Sequence, residues 1–481
     1  GVTNTITAIK NAQMAQSPVV LLGGATATVL KGRGSLQDID QMALMRPHVK
    51  WAGSARRVSD VVPLMHRAFS VAQSGVPGPV FLELPLDLLF PEEIVREWYQ
   101  AKTDGNPQSL QGKAIKWYLR RHLDQQFAGN QDLVFPEAIF PTPMVASKEL
   151  VEKAGRILTR SKRPLMVVGS QALLYPQEAS ELARAVNDIG IPVYLSGMAR
   201  GLMGAGHPLH MRHKRRVALR EADTVLLCGV PCDFRLDYGS HISSKSTYIS
   251  VNRSREDLRK NRRPDLAVHG DPHHFLQALA GVVQPGGDAW SEWRTSLCGR
   301  DDEREKEIEQ MSEEDQAGVN PLAFFKTMDD RLREDSIIVA DGGDFVATAS
   351  YTTRPKSPLS WLDPGVFGTL GVGAGFAIGA KLCRPDADIW IVYGDGSAGY
   401  SISEFDTFVR HNLPVIAVVG NDGAWTQIAR DQIPMLGDDV GTVLNKSDYD
   451  KVAEGWGGRG FQVRDLELNN LYKLSNWRKF G

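Results

Sequence analysis

Short β-branched apolar runs punctuate the whole chain, each followed by glycine or a polar turn and then by apolar positions at helical spacing. The runs occupy residues 18–22, 79–84, 164–168, 191–195, 224–227, 248–251, 336–339, 389–393 and 414–419. Runs this long that stay almost wholly apolar predict strands buried on both faces. Their alternation with helices makes the sheets parallel, so the fold class is α/β, with a doubly wound architecture. Ligands of such sheets sit in the loops beyond the carboxyl ends of the strands.

Two stretches break this rhythm. From about residue 103 to 143, Gly, Pro, Asn and Gln are mixed, with one helix expected over 114–127. Around 299–318 the run DDEREKEIEQMSEED predicts an exposed helix with a solvated, charged face. These linkers leave three blocks, 1–100, 147–284 and 319–481. The first is short for a doubly wound domain. Only two clear strands precede Leu89, so half a domain is expected to be missing ahead of Gly1. In the last block the pattern continues to 460–463, but 466–481 lacks a final strand and helix, as a truncated or divergent end would.

Composition narrows the class. At 481 residues, a prior of roughly 150 residues per domain gives about three domains. Lys and Arg total 55, Asp and Glu 57, and the net charge of −2 argues against nucleic-acid binding through bulk positive charge. A 42% hydrophobic and 23% charged content excludes a disordered acidic chain. Four scattered cysteines are too few for a disulfide framework, and Cys228 and Cys232 are expected to be buried thiols rather than a metal site. No apolar run reaches the roughly 18 residues that span a bilayer. The chain opens at Gly1 with neither Met nor a signal peptide, as expected for a break in a longer protein.

The strongest chemical signal follows the run at 389–393: Gly394, Asp395, Gly396 and Ser397, then a helical pattern over 404–410. Glycines let backbone amides approach a ligand, and a helix N-terminus favours phosphate. An aspartate in such a turn offers oxygen to a hard cation such as Mg²⁺. Alone, the same residues also fit a plain turn after a strand. The run at 414–419 ends similarly, in Gly420, Asn421, Asp422, Gly423 and Ala424. If the two strands are neighbours, Asp395, the Asn421/Asp422 pair and a main-chain carbonyl surround one ion, and the glycines leave room for a diphosphate.

Ile378, Gly379, Pro385, Trp390, Val392 and the turn at 394–397, with Asn421 and Asp422 after residues 397–420, resemble the motif of thiamine-diphosphate enzymes. The related enzymes are the acetolactate synthases, pyruvate decarboxylases and 2-hydroxyacyl-CoA lyases. Segments 1–4 (GVTN) and 18–24 (PVVLLGG) resemble the second half of that family's pyrimidine-binding domain, and 79–87 (PVFLELPLD) resembles the strand that closes it. Residues 163–170 (RPLMVVGS) resemble the start of the central domain, and 341–343 (DGG) an early diphosphate-side loop. Stretches 361–371, 404–411 and 420–427 carry a closer resemblance to the animal acetolactate synthase-like, 2-hydroxyacyl-CoA lyase branch.

The resemblance implies three doubly wound domains, the first and last incomplete, and a cofactor held between two subunits of a homodimer or homotetramer. It implies thiamine diphosphate and Mg²⁺ as cofactors. Asp395, Asp422 and the Ala424 carbonyl would be the metal ligands, with Asn421 an alternative because family members with Asn-Asn have no second negative charge there. Gly343, Gly394, Gly396 and Ser397 would border the diphosphate. The Gly368 carbonyl would accept from the cofactor's amino group, and Leu370 would be the wedge between its rings, although plain core packing also accounts for that leucine. The family's activating glutamate lies upstream of the GVTN element, so no acid here is assigned its role. The chain as given is therefore expected to bind cofactor weakly and to lack normal activity.

Relatives carry FAD or a nucleotide in the central domain, but residues 232–239 (CDFRLDYG) match the corresponding acetolactate synthase loop only in part, and FAD is not assigned. His207, His210, His213, His241, His269, His273 and His274 show no ligand spacing backed by acids and are expected at the surface or in turns. The activity implied is lysis of a 2-hydroxyacyl-CoA. Acetolactate-type condensation of pyruvate, a 2-keto acid, is the alternative, and a non-catalytic cofactor-binding or regulatory fragment is the alternative of another class. No Gly-x-Gly-x-x-Gly turn follows a first strand, which disfavours a nicotinamide dehydrogenase. The resemblance also implies the endoplasmic reticulum, through an amino-terminal anchor outside this chain.

Overall fold

All nine apolar runs form strands in the computed structural model, which describes residues 1–101, 109–130, 134–138, 140–284, 286–316 and 318–464. The expected divergent end at 466–481 lies outside the described residues. Among the described residues twelve strands build three sheets, and every strand pairing within those sheets is parallel. The chain divides into two compact units, Gly1–Thr142 with Gly365–Phe367, and Pro143–Pro364 continuing from Gly368.

In the first unit, β1 (Val20–Ala25), β2 (Trp51–Ser54) and β3 (Val80–Pro85) pair in the order β1-β3-β2. β3 lies in the middle and all six of its residues are buried, which explains why it is apolar except at Glu83, whose carboxylate accepts from Lys31 and Ser54. The half-buried β2 is a third strand where only two were expected. A helix at Leu110–Gln126 matches the one expected over 114–127. Its Leu123, with Phe127 just beyond its end, packs on Val95 and Tyr99 of the helix Glu92–Ala101, so this stretch shares a core instead of hanging free.

The second unit holds two sheets. β4 (Pro164–Val168), β5 (Val193–Leu195), β6 (Thr224–Cys228), β7 (Thr247–Asn252) and β8 (Leu266–His269) run in the order β5-β4-β6-β7-β8. β9 (Ile337–Asp341), β10 (Trp361–Leu362), β11 (Ile389–Gly394) and β12 (Ile416–Gly420) run in the order β10-β9-β11-β12. Side chains alternate between the faces of each sheet. In β11, Trp390 and Val392 join one core while Ile389, Ile391 and Tyr393 join the other. A strand sandwiched this way must be apolar at every position.

The charged run behaves differently from expectation. Residues 301–312 of it lie in one long helix, Gly287–Ser312, that buries Trp290, Trp293, Leu297 and Ile308. Its acids are partners, not only a solvated face: Asp301 accepts from the Arg212 and His213 amides at 2.7 and 3.0 Å, and Glu305 accepts from the Arg212 guanidinium at 2.6 Å. Arg212 also donates to the carbonyls of Tyr351 and Thr352, capping the helix Asp344–Thr352. Burial pushes Glu305 up, but the His213 bond and the charges of Arg212 and Arg354 outweigh it and hold the carboxyl down at about 2.

Two histidines also depart from expectation. His213 and His273 are buried and bonded to Glu305 and Glu178, because folding brings acids from distant parts of the chain to them. Cys228 and Cys232 are buried free thiols, as expected, whereas Cys383 is exposed. Among the described residues no helix is long and apolar enough to cross a membrane.

Candidate functional site: a glycine-built cleft at the carboxyl ends of β9, β11 and β12

Register brings three strand ends together. Asp341 of β9 lies opposite Tyr393 of β11, and Gly394 of β11 opposite Gly420 of β12. The loops leaving these ends line a cleft of about 120 Å³. Of the residues singled out in the sequence, Gly343, Leu370, Gly394, Asp395, Gly396, Ser397, Asp422 and Ala424 line it; Asn421 and Gly368 do not. Gly342, Asp344, Phe345, Gly420 and the run from Trp425 to Ile428 complete the walls.

Asp395 is the first residue of the helix Asp395–Ser401 and is 3% exposed. Its Oδ1 accepts from the Gly396 amide at 2.8 Å, and its Oδ2 from the Gly423 amide at 2.7 Å, which ties the two turns directly to each other. Below it, the Tyr449 hydroxyl donates to the Asp395 carbonyl at 3.1 Å. Burial pushes the Asp395 carboxyl above its ordinary value, the two amides offset part of that, and the charge of Asp422 adds to it. Asp422 is exposed; its Oδ1 accepts from the Ala424 amide at 3.2 Å and its Oδ2 from the Thr426 hydroxyl at 2.5 Å. Asn421 turns away, its carboxamide donating to the Ser447 carbonyl at 2.8 Å.

Space is short at the glycines here. A Cβ at Gly342 would stand only 2.1 Å from Leu370 Cδ2 and one at Gly396 2.3 Å from the Trp425 ring, while one at Gly394 would press, at 3.2 Å, on the Gly342 carbonyl oxygen. Side chains at these positions would fill the cleft or collide with its walls. Asp344, on the rim, pairs with Arg430.

Oxygen donors, two of them carboxylates, fit a hard divalent cation and not a thiophilic one. Two carboxylates alone do not make a complete cage, and among the described residues no group of three or more His, Cys, Asp or Glu could hold a metal. The donor set therefore fits an ion whose remaining ligands arrive with an anionic molecule, and the glycine-walled space beside it fits a diphosphate. The sequence places Asp341 in a diphosphate-side loop but assigns it no role of its own. It ends a buried run and precedes two glycines, the same pattern that drew attention to Asp395, but it closes its strand and does not line the cleft. Tyr449 and Ser447 left no signal in the sequence.

Comparison with known proteins identifies the cleft's family. Residues 341–473 match the thiamine pyrophosphate enzyme, C-terminal TPP binding domain, and residues 151–279 match the thiamine pyrophosphate enzyme, central domain. The chain is 49% identical over 471 residues to "2-hydroxyacyl-CoA lyase 2" of Danio rerio, covering 96% of this chain and 75% of that protein. It is 49% identical over 484 residues to the Homo sapiens protein of the same name, covering 98% and 75%. A more distant relative, "Probable acetolactate synthase" of Mycobacterium bovis, is 32% identical over 464 residues, covering 96% and 77%. With cleft, domain matches and relatives in agreement along the chain, this protein belongs to the thiamine pyrophosphate enzyme family.

Proposed function

We propose that the chain is a thiamine-diphosphate- and Mg²⁺-dependent lyase that cleaves the carbon–carbon bond beside the hydroxyl-bearing carbon of a 2-hydroxyacyl-CoA. The observation that carries this reading is the meeting of Asp395 and Asp422 in a glycine-built cleft, in a chain 49% identical to proteins named 2-hydroxyacyl-CoA lyase 2. Asp395, Asp422 and the Ala424 carbonyl would hold Mg²⁺. They fill three of about six positions, so diphosphate oxygens and water supply the rest. Gly343, Gly394, Gly396 and Ser397 would border the diphosphate, and Leu370 and Gly368 its ring end. Asn421, held by Ser447, is left out of the ligand set.

When bound, thiamine diphosphate supplies the nucleophilic carbanion and the electron sink that carbon–carbon cleavage next to a carbonyl requires. The chain's own part is to bind and orient. Asp395 joins the two loops through the Gly423 amide, so the ion site and the turn after β12 form together. The cleft's volume of about 120 Å³ falls below the roughly 300–1,000 Å³ of sites that enclose a ligand. A second subunit would supply the remaining walls in the homodimer or larger homo-oligomer that the family resemblance implies.

Binding and turnover are tested separately. Thiamine diphosphate with Mg²⁺ is expected to raise the melting temperature of the chain, and Asp395→Ala to abolish that rise. For turnover, the chain is assayed alone and extended at its amino end by the corresponding segment of a relative, since no acid in residues 1–481 is assigned as the activating group. The extended protein is expected to release formyl-CoA and an aldehyde from a 2-hydroxyacyl-CoA, and the chain alone to be nearly inactive. Acetolactate formed from pyruvate without any formyl-CoA from the thioester would replace the lyase reading with the synthase one, which the 32% identity to an acetolactate synthase supports.

A further inference from the structure

Asp341 is a carboxylate at the end of an interior strand, with no measurable exposure to solvent. Burying a charge this completely is costly unless its partners compensate. Its partners here are two backbone amides: Oδ1 accepts from Gly371 at 3.0 Å and Oδ2 from Gly373 at 2.7 Å. Those amides lie just after Leu370, and Gly373 opens the helix Gly373–Cys383. The fit depends on glycine, because a Cβ at Gly373 would stand 2.9 Å from Asp341 Oδ2, and Gly371 has a φ of +84°. The residue after Asp341 completes the arrangement. Leu370 Cδ2 would lie 2.1 Å from a Cβ at Gly342, so the leucine rests directly on that glycine. One strand end thus holds the loop twice, by its backbone through Asp341 and by its side chain over Gly342.

We propose that Asp341 is a positioning residue for the cofactor: its carboxylate fixes the backbone at 371–373 so that Leu370 stays in the cleft, and it governs affinity for the ring end of thiamine diphosphate but not for the diphosphate end. The inference rests on the reading of the cleft as the thiamine diphosphate site. It goes beyond that reading because Asp341 lies behind the cleft wall and acts only through the loop. On the diphosphate side, Asp395, Gly396, Ser397, Asp422 and Gly423 bond with one another and with neighbouring turns and not with the Asp341 carboxylate, and Gly343 is joined to Asp341 only along the chain. A role confined to anchoring the helix predicts lower stability with no change in which ligands bind.

The test compares two ligands on the 481-residue chain by titration calorimetry in saturating Mg²⁺: thiamine diphosphate, and inorganic pyrophosphate as a probe of the diphosphate end alone. Asp341→Asn keeps the shape but turns an NH₂ toward one of the two amides, losing one bond and setting donor against donor. It is expected to weaken thiamine diphosphate about tenfold or more while pyrophosphate stays within about twofold. Leu370→Ala is expected to show the same selectivity, and the double variant to lose no more than about twofold beyond the weaker single one, since both act through one element. Equal weakening of both ligands, or fully additive losses, would overturn the proposal. If Asp341→Asn yields no folded protein, Asp341→Glu, which keeps the charge but overshoots both amides, is read by the same criteria. A wild-type chain that binds neither ligand would sink the reading of the cleft itself, and the role of Asp341 with it. Pyrophosphate binding to a wild-type chain that ignores the thiamine part would overturn the Asp341 inference alone.

Discussion

Replacing Gly396 by alanine sets two effects of opposite sign against each other. Gly396 is the second residue of the helix Asp395–Ser401 and its φ is not positive, so its backbone accepts alanine. The lower entropy of the unfolded chain then favours the variant by about 0.4–1 kcal/mol. Against this, the new Cβ would lie 2.3, 2.5 and 2.6 Å from three carbons of the Trp425 ring. Carbon–carbon contacts relax to roughly 3.5 Å, so the indole must retreat by about 1 Å. The Trp425 amide is bonded to the Thr442 carbonyl at 2.7 Å, so the main chain is held and the retreat falls on rotation of the indole side chain. Overpacking of this kind costs about 1–3 kcal/mol. The clash wins, and Gly396→Ala is expected to destabilise the protein by about 1 kcal/mol, lowering the melting temperature by roughly 1–2 °C. In a Trp425→Leu background the obstruction is gone, and the same substitution should stabilise by about 0.4–1 kcal/mol. Denaturant titration and thermal melts of the four proteins give the comparison. The same sign in both backgrounds would show that Trp425 does not press on Gly396 and that the cleft wall is wrongly described.

The two polar residues after β12 should separate cleanly: Asp422→Ala is expected to abolish the Mg²⁺-dependent rise in melting temperature with thiamine diphosphate, while Asn421→Ala retains it, and the reverse order would move the metal ligand to Asn421. For Glu305, a carboxyl at about 2 in the folded protein stabilises it above the unfolded value, and that stability is lost as pH falls from about 4.5 toward 2. The displacement converts to about 3 kcal/mol if the group were dry, and its 30% exposed side chain reduces this by screening to about 1–2 kcal/mol. Urea titrations should therefore find wild type ahead of Glu305→Gln by that amount at pH 6 and the gap closing near pH 2.5; a gap independent of pH would refute the assignment.

How far the fold could be read in the chain depends on how fully each strand is buried and how long it is. The runs at 164–168, 336–339 and 389–393 announce themselves because both of their faces are covered. The three strands that left no clear signal, β2, β8 and β10, lie at sheet edges, but so do β1, β5 and β12, whose runs were legible. What sets the first three apart is local: β2 is half-buried throughout, β8 is fully buried only at every second position, and β10 has just two residues. The Asp395 turn and the turn after β12 were legible as a pair because parallel neighbours end at the same side of a sheet, a consequence of topology rather than of detailed packing.

Hydrogen-bond partners were another matter. Nothing in the order of residues distinguishes Asp422 from Asn421, yet one faces the cleft and the other is held by Ser447. The same holds for Asp341 reaching Gly371 and Gly373, for Tyr449 beneath Asp395, and for Arg212 and His213 meeting the acids of a run that looked like solvated surface. Apolar periodicity records how deeply each position is buried, which is a local property of the chain. The direction of a polar side chain is set by which distant donor or acceptor the packed sheets bring within about 3 Å, and that is decided only when strand register and helix placement are fixed together.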